Sequence, residues 1–466
     1  MGKFARIVLH TTFVITLCSC AFAQHARSLS DSSAAIPHSD TDAALAGFIA
    51  SIKAIDNHAH PVLPPPAIAT DREFDALPVD SMEPQTDAVA LRADNPQLNA
   101  AWKALWNFTG KLPLDAAAMK RLQAARETVR ASKGAAYDNW VLDRAGVGTE
   151  LANRVRMGAG VAPPRFQWVP YDDALLFPLN NAALAASTPD KAMFFPLEAK
   201  VLALYLHDAG LQALPSTLDE YLAKLVLPTL QAQQKGGAVA IKFEVAYLRG
   251  FDFTAPSHEE AARVYAASVG KSAPDAAAYK LLQDFLFRTI ATEAGRLGMA
   301  VHLHTMAGAG SYFGIADANP MLLEPVFNDA ALRKSTNFVM LHGGWPFVRE
   351  AGSLLQKPNV YLDLSQQAIM FPPRTLSTWL REWLELYPEK VLYATDGYPY
   401  SDALGWEESL WIADANVRAA LGLALTGMLR DGEIDRARAQ QIATMVLRGN
   451  AAALYHLDAN GSPRLQ

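Results

Sequence analysis

Ile55-Asp56-Asn57-His58-Ala59-His60 reads as a short β-strand that closes on His-x-His. Alternate side chains of a strand share a face, so both imidazoles point the same way. Working outward, four more apolar runs carry or end in a ligand-type residue. They are Val239-Ala240-Ile241-Lys242-Phe243, Val301-His302-Leu303-His304-Thr305, Phe338-Val339-Met340-Leu341-His342 and Val391-Leu392-Tyr393-Ala394-Thr395-Asp396. Neutral imidazole and carboxylate are the usual ligands of zinc-like divalent cations. His58, His60, Lys242, His304, His342 and Asp396 are therefore read as one convergent site.

Taken singly, each residue has a plainer reading. A histidine in an apolar strand is often a satisfied core residue. Asp396 suits a turn or a helix N-cap, and Lys242 an edge or solvent-facing strand position. The set outweighs its members: five of the eight histidines beyond residue 45 lie in these strands. A carboxylate buried at a strand end is costly unless it is paired or metal-bound.

Strands alternate with helices along the rest of the chain. Further strands are expected at Val155–Val161, within Arg165–Leu176 and at Val360–Leu364. Helices are expected at Leu218–Lys235, Ala278–Leu297, Thr375–Leu386, Leu404–Leu421 and within Ile434–Leu457. Such alternation predicts an α/β fold with a parallel sheet. About eight units fit a TIM-type (β/α)8 barrel. A doubly wound sheet is the weaker alternative, because no glycine-rich phosphate turn follows a first strand. In a barrel, functional groups gather at the carboxyl ends of the strands, where every candidate here falls. Residues 46–466 are assigned to the barrel, with a helical insertion at about 62–140 after strand one. A structureless loop of that length is uncommon, so it should carry its own helices and cover the site.

The chain has 466 residues, 51% of them hydrophobic, and a net charge of −6. Lys3 and Arg6 precede an apolar run from Ile7 to Cys18, and Ala21-Phe22-Ala23 fits a small-x-small cleavage site. Residues 1–23 thus read as a secretory signal peptide and 24–45 as a loose lead-in. The expected location is periplasmic or secreted, in a bacterium. Leu17-Cys18-Ser19-Cys20 offers a lipid anchor at Cys20 as the alternative. Both cysteines lie in this leader, so cleavage at Ala23 leaves no disulfide, thiolate nucleophile or Cys-based zinc site. Roughly 440 mature positions suffice for a large core. No basic block suggests nucleic acid, and no later apolar run is expected to span a bilayer. A small-molecule substrate is the expected partner, and a homo-oligomer stays open.

The order His-x-His, Lys, His, His, Asp resembles the amidohydrolase superfamily of metal-dependent hydrolases. The stretches VAIKFEVAYLRG (239–250), VHLHT (301–305), LHGGWPFVREAG (341–352), NVYLDLS (359–365) and LYATDG (392–397) narrow the likeness to the amidohydrolase-2 group. Within that group they resemble the branch related to the N-terminal domain of FluG-type proteins. The resemblance implies a divalent metal, zinc foremost, as one or two ions. It implies that His58 and His60 hold the more buried ion, and that Lys242, His304 and Asp396 complete the metal set. In two-metal members the strand-four lysine is carboxylated and bridges the ions, which would make Lys242 a carbamate; one-metal members dispense with the bridge. Asp396 and His342 would be catalytic, and His302 would orient a ligand from behind. Tyr247, Arg249 and Trp345 would bind substrate. The implied reaction is hydrolysis of amide-like C–N bonds by metal-activated water. A one-metal decarboxylase is the alternative, and a non-catalytic binding protein on the same barrel a further one.

Overall fold

Eight parallel strands are formed among the described residues: β1 (Ala54–Ala59), β2 (Val147–Asn153), β3 (Phe166–Val169), β4 (Ala240–Phe243), β5 (Ala300–His304), β6 (Phe338–Leu341), β7 (Val360–Asp363) and β8 (Val391–Leu392). The computed structural model describes residues 40–62, 86–271, 274–458 and 461. The signal peptide, the Cys20 anchor, most of the lead-in and residues 63–85 of the expected insertion lie outside them. The architecture is α/β, with helices between most successive strands (β2 runs to β3 without one) and the strands largely buried on both faces, as parallel sheets require.

The expected single ring is instead two ladders, β1-β2-β3 and β4-β5-β6-β7-β8. Their edges approach at both junctions without forming a regular ladder. Between β3 and β4, Val239 N–H donates to Trp168 O and Lys242 N–H to Pro170 O. Pro170 has no N–H to return, which interrupts the pairing there. Between β8 and β1, Asn57 N–H donates to Tyr393 O, Asp396 N–H to His58 O (2.9 Å) and His60 N–H to Gly397 O (2.8 Å). β8 spans only two residues, and β1 shifts register between Asp56 and Ala59.

Ile55, Leu151, Val169, Ala240, Val339, Leu341 and Leu392 form one apolar cluster with Leu454 and Leu457 from the C-terminal region. A second, larger cluster packs the strands against the helices. Two expectations need correction. Val155–Val161 is not a strand: its strand is Val147–Asn153, and Gly158 and Val161 form only an isolated bridge. The helix Trp406–Arg430 is long and apolar enough to cross a bilayer, contrary to the sequence reading, but 83% of its apolar window is buried inside the protein. It is a core helix, and its start anchors the helices between β1 and β2. Arg126 pairs with Glu408 (2.6 Å), Arg130 pairs with Glu407 (2.9 Å), and Trp102 Nε1 donates to Ala403 O (3.0 Å).

Helix Ala276–Arg296 lies close against the turn before β6. A Cβ on Gly295 would stand 2.4 Å from both Ser335 O and Thr336 Oγ1. Backbone cannot yield as a side-chain tip can, so Gly295→Ala is expected to destabilise the chain by about 2 kcal/mol despite alanine's better helix propensity. Gly47, in helix Ala43–Ser51, has nothing within 4 Å of that position. Gly47→Ala should therefore stabilise by about 0.5–1 kcal/mol. Urea unfolding midpoints moving in opposite directions would check both.

Candidate metal centre

The hydrogen bonds across the β8–β1 junction bring Asp396 beside the two histidines of β1. Asp396 Oδ1 lies 3.3 Å from His58 Nε2 and 3.4 Å from His60 Nε2. One ligand atom from each residue falls within 4.8 Å of the other two, and all three residues are buried. Asp396 Oδ2 faces away from this pair, 4.0 Å from His342 Nδ1. Both Asp396 (φ 57°), four residues past β8, and His342 (φ 67°), directly after β6, have left-handed backbone. Such strain in a non-glycine residue persists only where the surroundings enforce it, commonly at functional sites.

The other candidates surround this trio. Lys242, fully buried on β4, places Nζ 3.4 Å from His58 Nε2. Its ammonium also pairs with Glu244 Oε1 at 2.8 Å. His304 Nδ1 lies 3.4 Å from Glu244 Oε2, and its Nε2 has no partner. The His304 and His342 rings are 4.5 Å apart, and those of His58 and His342 5.1 Å. The structure thus gathers all six expected ligand-type residues, with Lys242 beside His58 and His304 beside His342.

Burial, reinforced by the Lys242 ammonium, holds His58 well below the ordinary imidazole range. Burial lowers His304 to about 4 against the pull of Glu244, and burial likewise puts His342 well below its usual value. All three are neutral near pH 7, the form that binds metal. Burial alone would raise Asp396, but His342 and hydrogen bonds with His58 and His60 outweigh it and hold the carboxyl well below its usual range. Three convergent buried donors, neutral imidazoles, an anionic carboxylate and an unpartnered His304 Nε2 fit a divalent cation.

Groups behind the ligands fix their orientation, as metal sites require. Tyr171 OH lies 3.0 Å from His60 Nδ1. His342 Nδ1 lies 2.8 Å from Ser365 Oγ, which donates to Asp363 Oδ1 at 2.6 Å. With the serine proton so used, His342 carries its own on Nδ1 and leaves Nε2 as acceptor. His302 sits one layer deeper: its Nε2 lies 2.7 Å from Tyr455 OH, which donates to Asn57 Oδ1. Through Tyr455 it reaches Asn57 and so supports β1.

The expected substrate-binding residues separate. The Tyr247 ring packs on His304, with centroids 4.8 Å apart. Arg249 is committed elsewhere, donating to Asp284 Oδ1 at 2.6 Å and lying over Phe253. Trp345 packs against Phe371. Sequence reasoning missed Glu244 and Tyr171. Glu244 had a readable signal, since Lys242-Phe243-Glu244 places both charges on one strand face. Tyr171 had none, because it follows Pro170 outside any regular strand.

Strands, ligand set and burial together define a metal-dependent hydrolase. A family model described as Amidohydrolase matches residues 223–457, and the chain belongs to that family. The match takes in Lys242, His304, His342 and Asp396; His58 and His60 precede it and join the site by geometry. The chain is 26% identical over 306 residues to Protein fluG of Emericella nidulans, covering 62% of this chain and 34% of that protein. The match thus spans about a third of that relative's length. Among solved structures, a candidate metal-dependent hydrolase of Lactobacillus casei overlays with a TM-score of 0.58 at 17% identity, over 88% of this chain and 96% of that one. Glucuronate isomerase of Caulobacter crescentus gives 0.56 at 12% identity, over 92% and 99%. Uronate isomerase of Thermotoga maritima gives 0.55 at 11% identity, over 89% and 98%. These overlays mark the fold as TIM-barrel type.

Proposed function

We propose that the chain hydrolyses an amide-like C–N bond of a small molecule or short peptide, using a divalent cation, zinc foremost, held by His58, His60 and Asp396. The reading includes a (β/α)8 barrel whose two ladders meet at the β3–β4 and β8–β1 junctions, with a helical insertion after β1. It also includes export to the periplasm or beyond, for which the basic and apolar leader is the support. One observation carries the chemistry: buried donors from β1 and from the segment after β8 converge within 4.8 Å.

When bound there, the cation supplies Lewis acidity, which polarises a carbonyl and acidifies water. The chain's own groups do the rest. Asp396 divides its carboxylate, with Oδ1 toward the two imidazoles and Oδ2 toward His342. Oδ2 is placed to accept a proton from the attacking water and return it to the leaving amine. His342, neutral and tethered by Ser365, lies with Nδ1 4.0 Å from Asp396 Oδ2. His304 offers its unpartnered Nε2. Burial excludes bulk water and strengthens each of these interactions.

The Lys242–Glu244 pair bears on the number of ions. An ammonium held at 2.8 Å by a buried carboxylate opposes carboxylation. It thereby favours a single ion and keeps the one-metal decarboxylase as the second reading. Metal analysis of the purified chain, intact mass at Lys242, and a panel of N-acyl amino acids, dipeptides and aromatic acids test these together. One metal per chain with amine release supports the hydrolase. Carbon dioxide release from the acids, with no amine release, replaces it by the decarboxylase. A mass gain of one carboxyl group at Lys242 overturns the one-ion reading.

A further inference from the structure

A cavity of about 190 Å³ adjoins the metal-site residues, and its chemistry differs from theirs. Its walls include Thr188, Lys191, Tyr247, Arg249, Phe313 and Asp317. Tyr247 is the partition: one side of its ring packs on His304, and the ring also meets Phe313 at 5.1 Å. A molecule in the cavity therefore has the metal ligands one aromatic ring away.

The cavity's charges are sorted. Arg249 is already matched by Asp284. Lys191, on helix Pro189–Asp208, is half-buried, and its ammonium has no hydrogen bond or ion pair among the described residues; Asp317 attracts it without contact. Thr188 caps that helix, its hydroxyl oxygen accepting Lys191 N–H at 3.2 Å. The Thr188 O–H is left to donate into the cavity, at the positive end of a helix dipole. One wall thus offers a cation and a donor, with buried Asp190 beside them accepting Tyr312 N–H at 2.8 Å, while exposed Asp317 offers a second carboxylate. A lone anion would meet Asp317, and a lone cation would meet Lys191. A group carrying both charges satisfies both walls.

The geometry points to this cavity as the subsite for an amino-acid-like head of the substrate, its carboxylate on Lys191 and Thr188 and its ammonium on Asp317. The scissile bond then lies beyond Tyr247, at the metal site. This rests on the hydrolase reading only in calling the ligand a substrate, so binding is measured without turnover. The full purified chain is titrated with L-alanine, propionate and L-alaninamide by NMR. L-alanine should bind about tenfold or more tightly than either probe lacking one charge. Lys191→Met should weaken L-alanine by about tenfold with metal content unchanged, Lys191→Arg should restore it, and Asp317→Asn should reduce it to the level of propionate. Equal binding of the three probes overturns the proposal. So does L-alanine binding that survives Lys191→Met, which would place the amino acid on the metal instead.

Discussion

Asp396→Asn is expected to lower kcat on the best amide substrate by about 10³-fold or more, while the melting temperature of the metal-free variant stays within about two degrees of the metal-free parent. Asparagine keeps the shape of the side chain and tolerates the left-handed backbone found here (φ 57°), so the turn after β8 should survive. It cannot keep the negative charge. Asp396 Oδ1 serves two imidazoles at 3.3 and 3.4 Å, and only a carboxylate also leaves Oδ2 able to take a proton. A neutral amide accepts hydrogen bonds but is neither a good metal ligand nor a base. Alanine would be the worse test, because it adds backbone strain to the lost chemistry. Metal content measured beside kcat separates the two roles: loss of both identifies a ligand, and loss of kcat with full metal content identifies the base. Activity within tenfold of the parent would remove Asp396 from the mechanism.

The parts of this site legible in the sequence were those that strand periodicity writes down. Val301-His302-Leu303-His304 predicts two inward histidines, and both are buried on β5. Lys242 taken singly also suited a solvent face, and its neighbour two residues on, Glu244, would have strengthened its place in the site. Helix Pro189–Asp208 was not anticipated. It carries Pro196 in its interior and apolar residues on several sides, so no single helical stripe stands out. Yet this helix presents Lys191 and Thr188 to the cavity. Arg249 shows the opposite limit: the resemblance implied substrate binding, whereas Asp284 holds its guanidinium at 2.6 Å, with Asp252 at 3.7 Å. Which of two partners captures a guanidinium depends on three-dimensional placement that spacing along the chain does not encode. Sequence also could not reveal that the strands form two ladders, since that turns on how Pro170 and the two-residue β8 pair at the junctions.

That division into two ladders gives metal removal a structural signature beyond lost activity. His58 and His60 belong to the three-stranded sheet, whereas Asp396 follows the last strand of the five-stranded one. A cation held by all three cross-links the sheets where β8, two residues long, contributes little pairing of its own. Ligand binding to the folded state alone stabilises it by about 4 kcal/mol at a thousandfold excess over Kd. Chelation should therefore lower the melting temperature by several degrees, on the order of 2 °C per kcal/mol for a large domain. Added zinc should restore it in the parent chain and fail to do so in His58→Ala. The loosening should be local. The His60 amide, bonded to Gly397 O, and the Asp396 amide, bonded to His58 O, lie on the junction and should exchange faster after chelation. The amides within β5, bonded in mid-sheet to β4, should keep their protection. Uniform acceleration across both sheets, or none at the junction, would mean that no ion joins β1 to the segment after β8.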